Sequence, residues 1–220
     1  MADMRVAVQQ AEVARSTADG AGFRALRGLR DGSATVADFF TVLSLEGRVF
    51  GVNIGTLTTP IAGHTGIDDD QPEAVVDVPT GTTIIPISID VYLEDSAGTD
   101  TEVVYLASQA NIGAGTSTAV TTIRNLRADA PRTSGASVYR SYTGNGTATS
   151  NGFEFYRAGY PFADATTDPV KKFHWSAKES GIVPVLVGDA ALVLYWAGTT
   201  TAPLGFAQIV WAELPSNTIV

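Results

Sequence analysis

Between Ile84 and Glu94 the chain alternates in polarity almost without a break. Ile85, Ile87, Ile89, Val91 and Leu93 fall on one face, and Pro86, Ser88, Asp90, Tyr92 and Glu94 on the other. A period of two marks a half-buried β-strand, because successive side chains of an extended backbone point to opposite faces. The strand is entered through Asp77-Val78-Pro79-Thr80-Gly81-Thr82-Thr83, where Pro79 presets φ and Gly81 supplies a turn residue. A second such region closes the chain. From Ala190 to Glu213, AALVLYWAG, a threonine turn and GFAQIVWAEL read as two strands joined as a hairpin or by a longer connection.

Further candidate strands lie at Ala74 to Val78, Glu102 to Ala107, Ala119 to Leu126, Ser137 to Tyr142, Gly152 to Arg157, Lys172 to Ser176 and Val183 to Val187. Loops rich in Gly, Thr, Ser and Asn separate them. FFTVLSL, a turn at Glu46-Gly47 and RVFGVNIG read as a hairpin from Phe39 onward. Many short strands without an intervening helix fit two packed antiparallel sheets. The expected fold is therefore all-β, a jelly-roll-like antiparallel β-sandwich over residues 38–220, with long Greek-key crossings accounting for the longer loops. The sandwich core is expected to include Ile85, Ile87, Ile89, Val91, Leu93, Leu192, Leu194 and Trp196.

Residues 1–37 read as an N-terminal arm. Ala2 to about Thr17 holds good helix formers, with Met4, Val8, Ala11 and Val13 or Ala14 making a narrow apolar stripe that Gly20 and Gly22 end. A helix this short is marginal alone in water, so it is expected to lie on its own sandwich or on a neighbour. Phe23, Leu26 and Leu29 stand beside Arg24, Arg27 and Arg30, either as a solvated face over a small apolar contact or as a partner-binding surface.

The 220 residues suit one core plus the arm. The absence of cysteine excludes a disulfide framework, a thiolate metal site and a cysteine nucleophile. The first residues carry Asp3 and Arg5 without an apolar h-region, and the longest apolar run, Ala190 to Ala197, falls far short of the roughly 20 residues a membrane span needs. A soluble protein without a secretion signal is expected. Net charge is -9, and from Phe50 to Ile123 there is no Lys or Arg. A nucleic-acid footprint needs the opposite sign, so nucleic acid is not an expected partner.

Chemistry-bearing residues are sparse. The two histidines stand apart, His64 in a Gly-rich loop and His174 on a candidate strand between Phe173 and Trp175, and both are expected to be structural or surface groups. No nucleophile elbow, P-loop or zinc-protease motif is present, so no catalytic residue, metal ligand or cofactor is expected. Asp68-Asp69-Asp70 is the one carboxylate cluster, open to three readings: a cation loop, a cap or solvated turn, and a contact to a basic neighbour. Asn145-Gly146-Thr147 forms a glycosylation sequon that matters only on a secretory route. Phe153, Phe155, Tyr156, Tyr160 and Phe162 crowd one segment, as core or as a contact patch.

The helical arm, the Thr/Gly/Ala-rich cysteine-free sandwich, VDVPTGTTIIPISIDVYLED and the closing GFAQIVWAELP resemble structural proteins of bacteriophage virions, in particular jelly-roll capsid and capsid-decoration (cement) proteins. The resemblance covers roughly Asp38 to Leu214 and implies no catalytic residues. It implies a virion location after synthesis in the host cytoplasm, and a homotrimer or larger symmetric array in which sandwich edges and the arm bind other capsid subunits. The competing expectation is a carbohydrate- or receptor-binding module of a phage fibre or spike. Such a module would display aromatic side chains, for which Trp175, Trp196 and Trp211 are available.

Overall fold

The computed structural model describes residues 38–95, 100–144, 152–161 and 171–216. The expected arm helix, with Phe23, Arg24, Leu26, Arg27, Leu29 and Arg30, lies outside these residues, as do Asn145 and Phe162. The chain divides into two compact units, Met1–Val42 and Leu43–Val220, and every described strand belongs to the second.

Phe39–Leu45 is a helix, α1, and not the first arm of a hairpin. Asp38 sets its start, since one carboxylate oxygen faces the backbone amides of Phe40 and Thr41 at 3.2 and 3.4 Å. Gly47 sets its end. With φ at 66°, it occupies the left-handed position that glycine takes without steric penalty. Gly47 N–H donates to Ser44 C=O at 3.0 Å and Arg48 N–H to Leu43 C=O at 2.9 Å, the paired bonds of a Schellman ending. The glycine that reads as a hairpin turn is thus a helix terminator.

Thirteen strands follow among the described residues. They are β1 (Val49–Ile54), β2 (Ile61–Ala62), β3 (Ala74–Val78), β4 (Thr82–Asp95), β5 (Thr101–Ser108), β6 (Thr118–Ala119), β7 (Arg124–Asn125), β8 (Ser137–Arg140), β9 (Phe153–Tyr160), β10 (Lys171–Ser176), β11 (Leu186–Val187), β12 (Ala190–Gly198) and β13 (Leu204–Pro215). One sheet runs β10-β4-β13-β1-β7, with β11 on β4 and β2 on β13; the other runs β6-β8-β3-β12-β5-β9, and all pairs are antiparallel. Setting aside the short strands β2, β6, β7, β8 and β11 leaves eight. Numbered along the chain, they lie in the order first-eighth-third-sixth in one sheet and second-seventh-fourth-fifth in the other. This winding is a jelly roll, the fold that the strand spacing and long crossings lead one to expect.

A second local expectation needs correction. The long strand expected at Ala119 to Leu126 is two separate two-residue strands, β6 and β7, in opposite sheets. Of the two connections open for β12 and β13, the structure has the one that is not a hairpin: the threonine turn carries the chain from one sheet across to the other.

The core carries a third correction, with a bulge as its cause. Val210 opposes Ser88 while Trp211 opposes Pro86, so Ile87 has no opposite residue on β13. One extra residue flips the faces on either side of it. Ile89, Val91 and Leu93 are buried as expected, but beyond the bulge Ile84 takes the buried position, and Ile85 and Ile87 are only half-buried. Leu192, Leu194 and Trp196 of β12 are fully buried, as expected.

All nine residues of β12 are buried, which a two-layer sandwich with one wet face does not require. Ala191, Val193 and Tyr195 on its outer side belong to a second apolar cluster with Val75, Val104, Ile112 and Tyr142, against which Ile67, Leu106 and Tyr139 pack. Ile112 and Tyr142 come from the long β5–β9 connection. It is held down where both oxygens of buried Asp77 accept backbone amides, from Ile112 at 3.0 Å and Gly113 at 2.8 Å. Tyr142 adds its hydroxyl, donating to Gly113 C=O at 2.5 Å.

Candidate functional site

Gly63 brings the chain after β2 across Trp196 so closely that a Cβ would sit 2.4 Å from the Trp196 carbonyl oxygen and 2.5 Å from its ring. Only glycine fits there. His64 then bridges to the end of β12: its N–H lies 3.4 Å from Trp196 C=O, and Gly198 N–H donates to His64 C=O at 2.9 Å. From the other side comes Glu73, just ahead of β3, with its N–H donating to Leu194 C=O at 3.0 Å and its C=O accepting from Ser141 N–H at 3.0 Å. β3 pairs with β12 no farther than Leu194. Past that point the Glu73 side chain takes over, accepting Trp196 N–H on Oε2 at 2.9 Å and meeting His64 Nδ1 through Oε1 at 2.7 Å.

Glu73 is only 1% exposed. Burial pushes its carboxyl up to about 7, while the hydrogen bonds from His64 and from the Trp196 amide act in the opposite direction. The same hydrogen bond raises His64 above its ordinary value, helped by the negative charges of Glu73 and Asp68 and opposed by partial burial. His64 also borders a cavity of about 560 Å³ lined with Thr65, Asp68, Asp69 and Gln71. A buried carboxylate thus orients an imidazole whose other edge is a proton donor or acceptor for whatever enters, and the same contact ties the loop to the sheet.

The acidic triplet forms a turn at the rim of this cavity. Asp68 accepts from Gln71 Nε2–H at 2.6 Å and faces the Asp70 amide at 3.4 Å, while Gln71 N–H donates to Asp68 C=O at 3.1 Å. Tyr195 anchors the turn through its hydroxyl, donating to Asp69 C=O at 3.0 Å. Among the three readings of Asp68, Asp69 and Asp70, the solvated turn is the one these bonds describe. No three His, Asp or Glu side chains among the described residues converge as a metal site.

His174 has a separate carboxylate. It lies opposite Asp90 in the β10–β4 ladder, with Nδ1 2.8 Å from Asp90 Oδ1, and Lys172 Nζ reaches the same oxygen at 3.0 Å. Glu179, on the short helix α2 (Ala177–Ser180), approaches its other ring nitrogen at 3.4 Å. The aromatic segment divides between packing and exposure. A register shift at Phe155 lets consecutive aromatics turn inward: Phe155 meets Trp175 edge-on at 5.0 Å, and Tyr156 stacks on Tyr105 at 4.7 Å. Tyr160 meets Phe173 at 5.4 Å yet stays half exposed, and Phe153 is 67% exposed. Trp175, Trp196 and Trp211 are all buried.

Glu73 is the group that type-based reading of the sequence misses, along with Asp77 and Glu213. The apolar residues Ile182, Val185 and Val187 are exposed together in the connection from α2 into β11. Compared with protein-family models and with curated proteins, the chain finds no match.

Proposed function

We propose that this chain is a structural protein of a bacteriophage virion, a capsid or capsid-decoration subunit without enzymatic activity that works through symmetric contacts with other copies and with other capsid subunits. The observation that carries the reading is the eight-strand jelly-roll winding, an architecture shared by viral capsid, lectin and cupin domains. Within that set, all three tryptophans are buried, so none of them offers the stacking face that the carbohydrate-binding alternative would draw on, and the exposed aromatics of β9 are Phe153 and Tyr160. Exposed Ile182, Val185 and Val187 instead supply apolar surface on one connection, as a protein contact does. The arm residues Phe23, Arg24, Leu26, Arg27, Leu29 and Arg30 are assigned the docking role.

Size-exclusion chromatography with light scattering on the full chain tests the assembly. A discrete symmetric oligomer, a trimer first of all, is expected, and a strictly monomeric protein at high concentration would overturn the proposal. Deleting residues 1–32 is expected to leave the thermal transition of the sandwich unchanged and to weaken assembly. Full assembly by the truncated chain would remove the arm from the interface.

A further inference from the structure

We propose that His64 and Glu73 form a proton-operated latch, which fastens the loop between β2 and β3 to the end of β12 while the pair holds a proton and loosens it when the pair loses one. The loop has other ties that do not titrate near neutrality. Gly63 N–H donates to Pro203 C=O at 2.8 Å, the His64 backbone bridges to β12, and Ile67 packs on the outer apolar cluster. The side-chain pair is the tie that changes with pH.

With one proton between them, the two groups are together neutral, either as carboxylate and imidazolium or as acid and imidazole. Without it a full negative charge remains on a carboxyl that is 1% exposed. A buried ion without its counter-ion is costly. The surroundings add to that cost. Asp68, Asp69 and Asp70 lie on the loop itself, Glu102 of β5 stands opposite Ala197, the residue His64 bridges to, and Tyr195 is the ionisable side chain of β12. Arg140 of β8 stands opposite Ala74, next to Glu73. Among the described residues, His64 is the cation in ion-pair reach of Glu73.

Both folded-state shifts have the same sign. Glu73 moves from 4.5 to about 7 and His64 moves above 6.5, so the folded protein holds protons that the separated groups would release. Stability from a raised group is complete below its unfolded value and is lost as pH climbs through the folded one. The latch proton is a single one shared by the two groups, so the loss sets in above 6.5, the unfolded value of the imidazole that carries it, and proceeds as the pH climbs through the raised value of the pair. The latch is closed in mild acid and open in mild alkali.

Hydrogen exchange of the full chain, read on peptides covering residues 61–72 and corrected for intrinsic rates, tests this at about pH 5.5 and about pH 8.5. Exchange in the loop should speed up by about tenfold or more at the higher pH, because the proton that favours the closed loop is then gone. In Glu73→Gln the loop should exchange equally fast at both. Equal protection of the wild-type loop at both pH values, or an undiminished pH response in Glu73→Gln, would overturn the latch. If Glu73→Gln does not fold, the His64 ring protons can be titrated by NMR in the wild type, with His174→Asn to assign them. An apparent value at or below 6.5 would overturn it equally.

Discussion

Glu73, Asp77 and Glu213 are acids in buried positions, and each carboxylate accepts hydrogen bonds from donors that its own strand's backbone pairing does not serve. Glu73 accepts the Trp196 amide, and Asp77 the amides of Ile112 and Gly113. Glu213 accepts Trp211 Nε1–H at 2.9 Å and the Ser134 hydroxyl on one oxygen, and Gly135 N–H at 3.0 Å on the other. A buried donor left without an acceptor costs about 1–3 kcal/mol. Glu213→Ala orphans the indole of wholly buried Trp211 and the Gly135 amide, so a loss of about 2–5 kcal/mol is expected in urea denaturation, with Glu213→Gln losing less because it keeps one acceptor. A Glu213→Ala protein as stable as the wild type would show that water replaces the carboxylate. The sequence drew attention to His64, His174 and Asp68–Asp70 by residue type. It held a weaker sign for the acids that matter. Asp77 sits inside Ala74–Val78, a run whose five residues are all buried, so it has no solvent-facing position to turn to. No local pattern, however, places Glu73 against the distant His64 and Trp196, because that contact is made by tertiary pairing.

Alternation located the long strands to within a few residues, since burial of one face imposes the period directly. It could not locate the bulge. An unopposed Ile87 leaves the polarity pattern intact while turning Ile84 inward and Ile85 outward. The two neighbours should therefore respond differently to truncation. Ile84→Ala is expected to cost about 2–5 kcal/mol as a core cavity, and Ile85→Ala clearly less, both read from chemical denaturation. Equal costs, or a larger one at Ile85, would contradict the face switch. Ile89, past the bulge and fully buried, should not tolerate Asp: an unpaired carboxylate there is expected to abolish the cooperative melt. The segment before β1 misled for a related reason. FFTVLSL is rich in aromatic and β-branched residues, but the Asp38 cap and the left-handed Gly47 fix a helix whatever its propensity.

The jelly roll was legible as a class, because many short strands separated by long loops leave few other ways to bury a face. The identity of the pairs was not. β1, the first strand, pairs with β13, the last, and such non-local pairing leaves no mark in either segment. The outer layer over β12 was equally hidden, because Ile112 stands alone in a Gly- and Thr-rich stretch that reads as plain loop, and nothing in the candidate strand Ser137 to Tyr142 says that Tyr142 packs on β12. This layer should behave as a unit of its own. Its attachment depends on Asp77 and on Tyr142, whereas the inner core continues through β4 and β13 without them. Asp77→Ala strands the Ile112 and Gly113 amides, each at a cost of about 1–3 kcal/mol, so local opening becomes easier by one to a few powers of ten. Hydrogen exchange should then show lost protection at 110–117 and 139–142, with amides of the β4–β13 ladder keeping theirs. If protection instead falls equally in both regions, the outer layer and the sandwich unfold as one body, and the Asp77 clamp belongs to the global core.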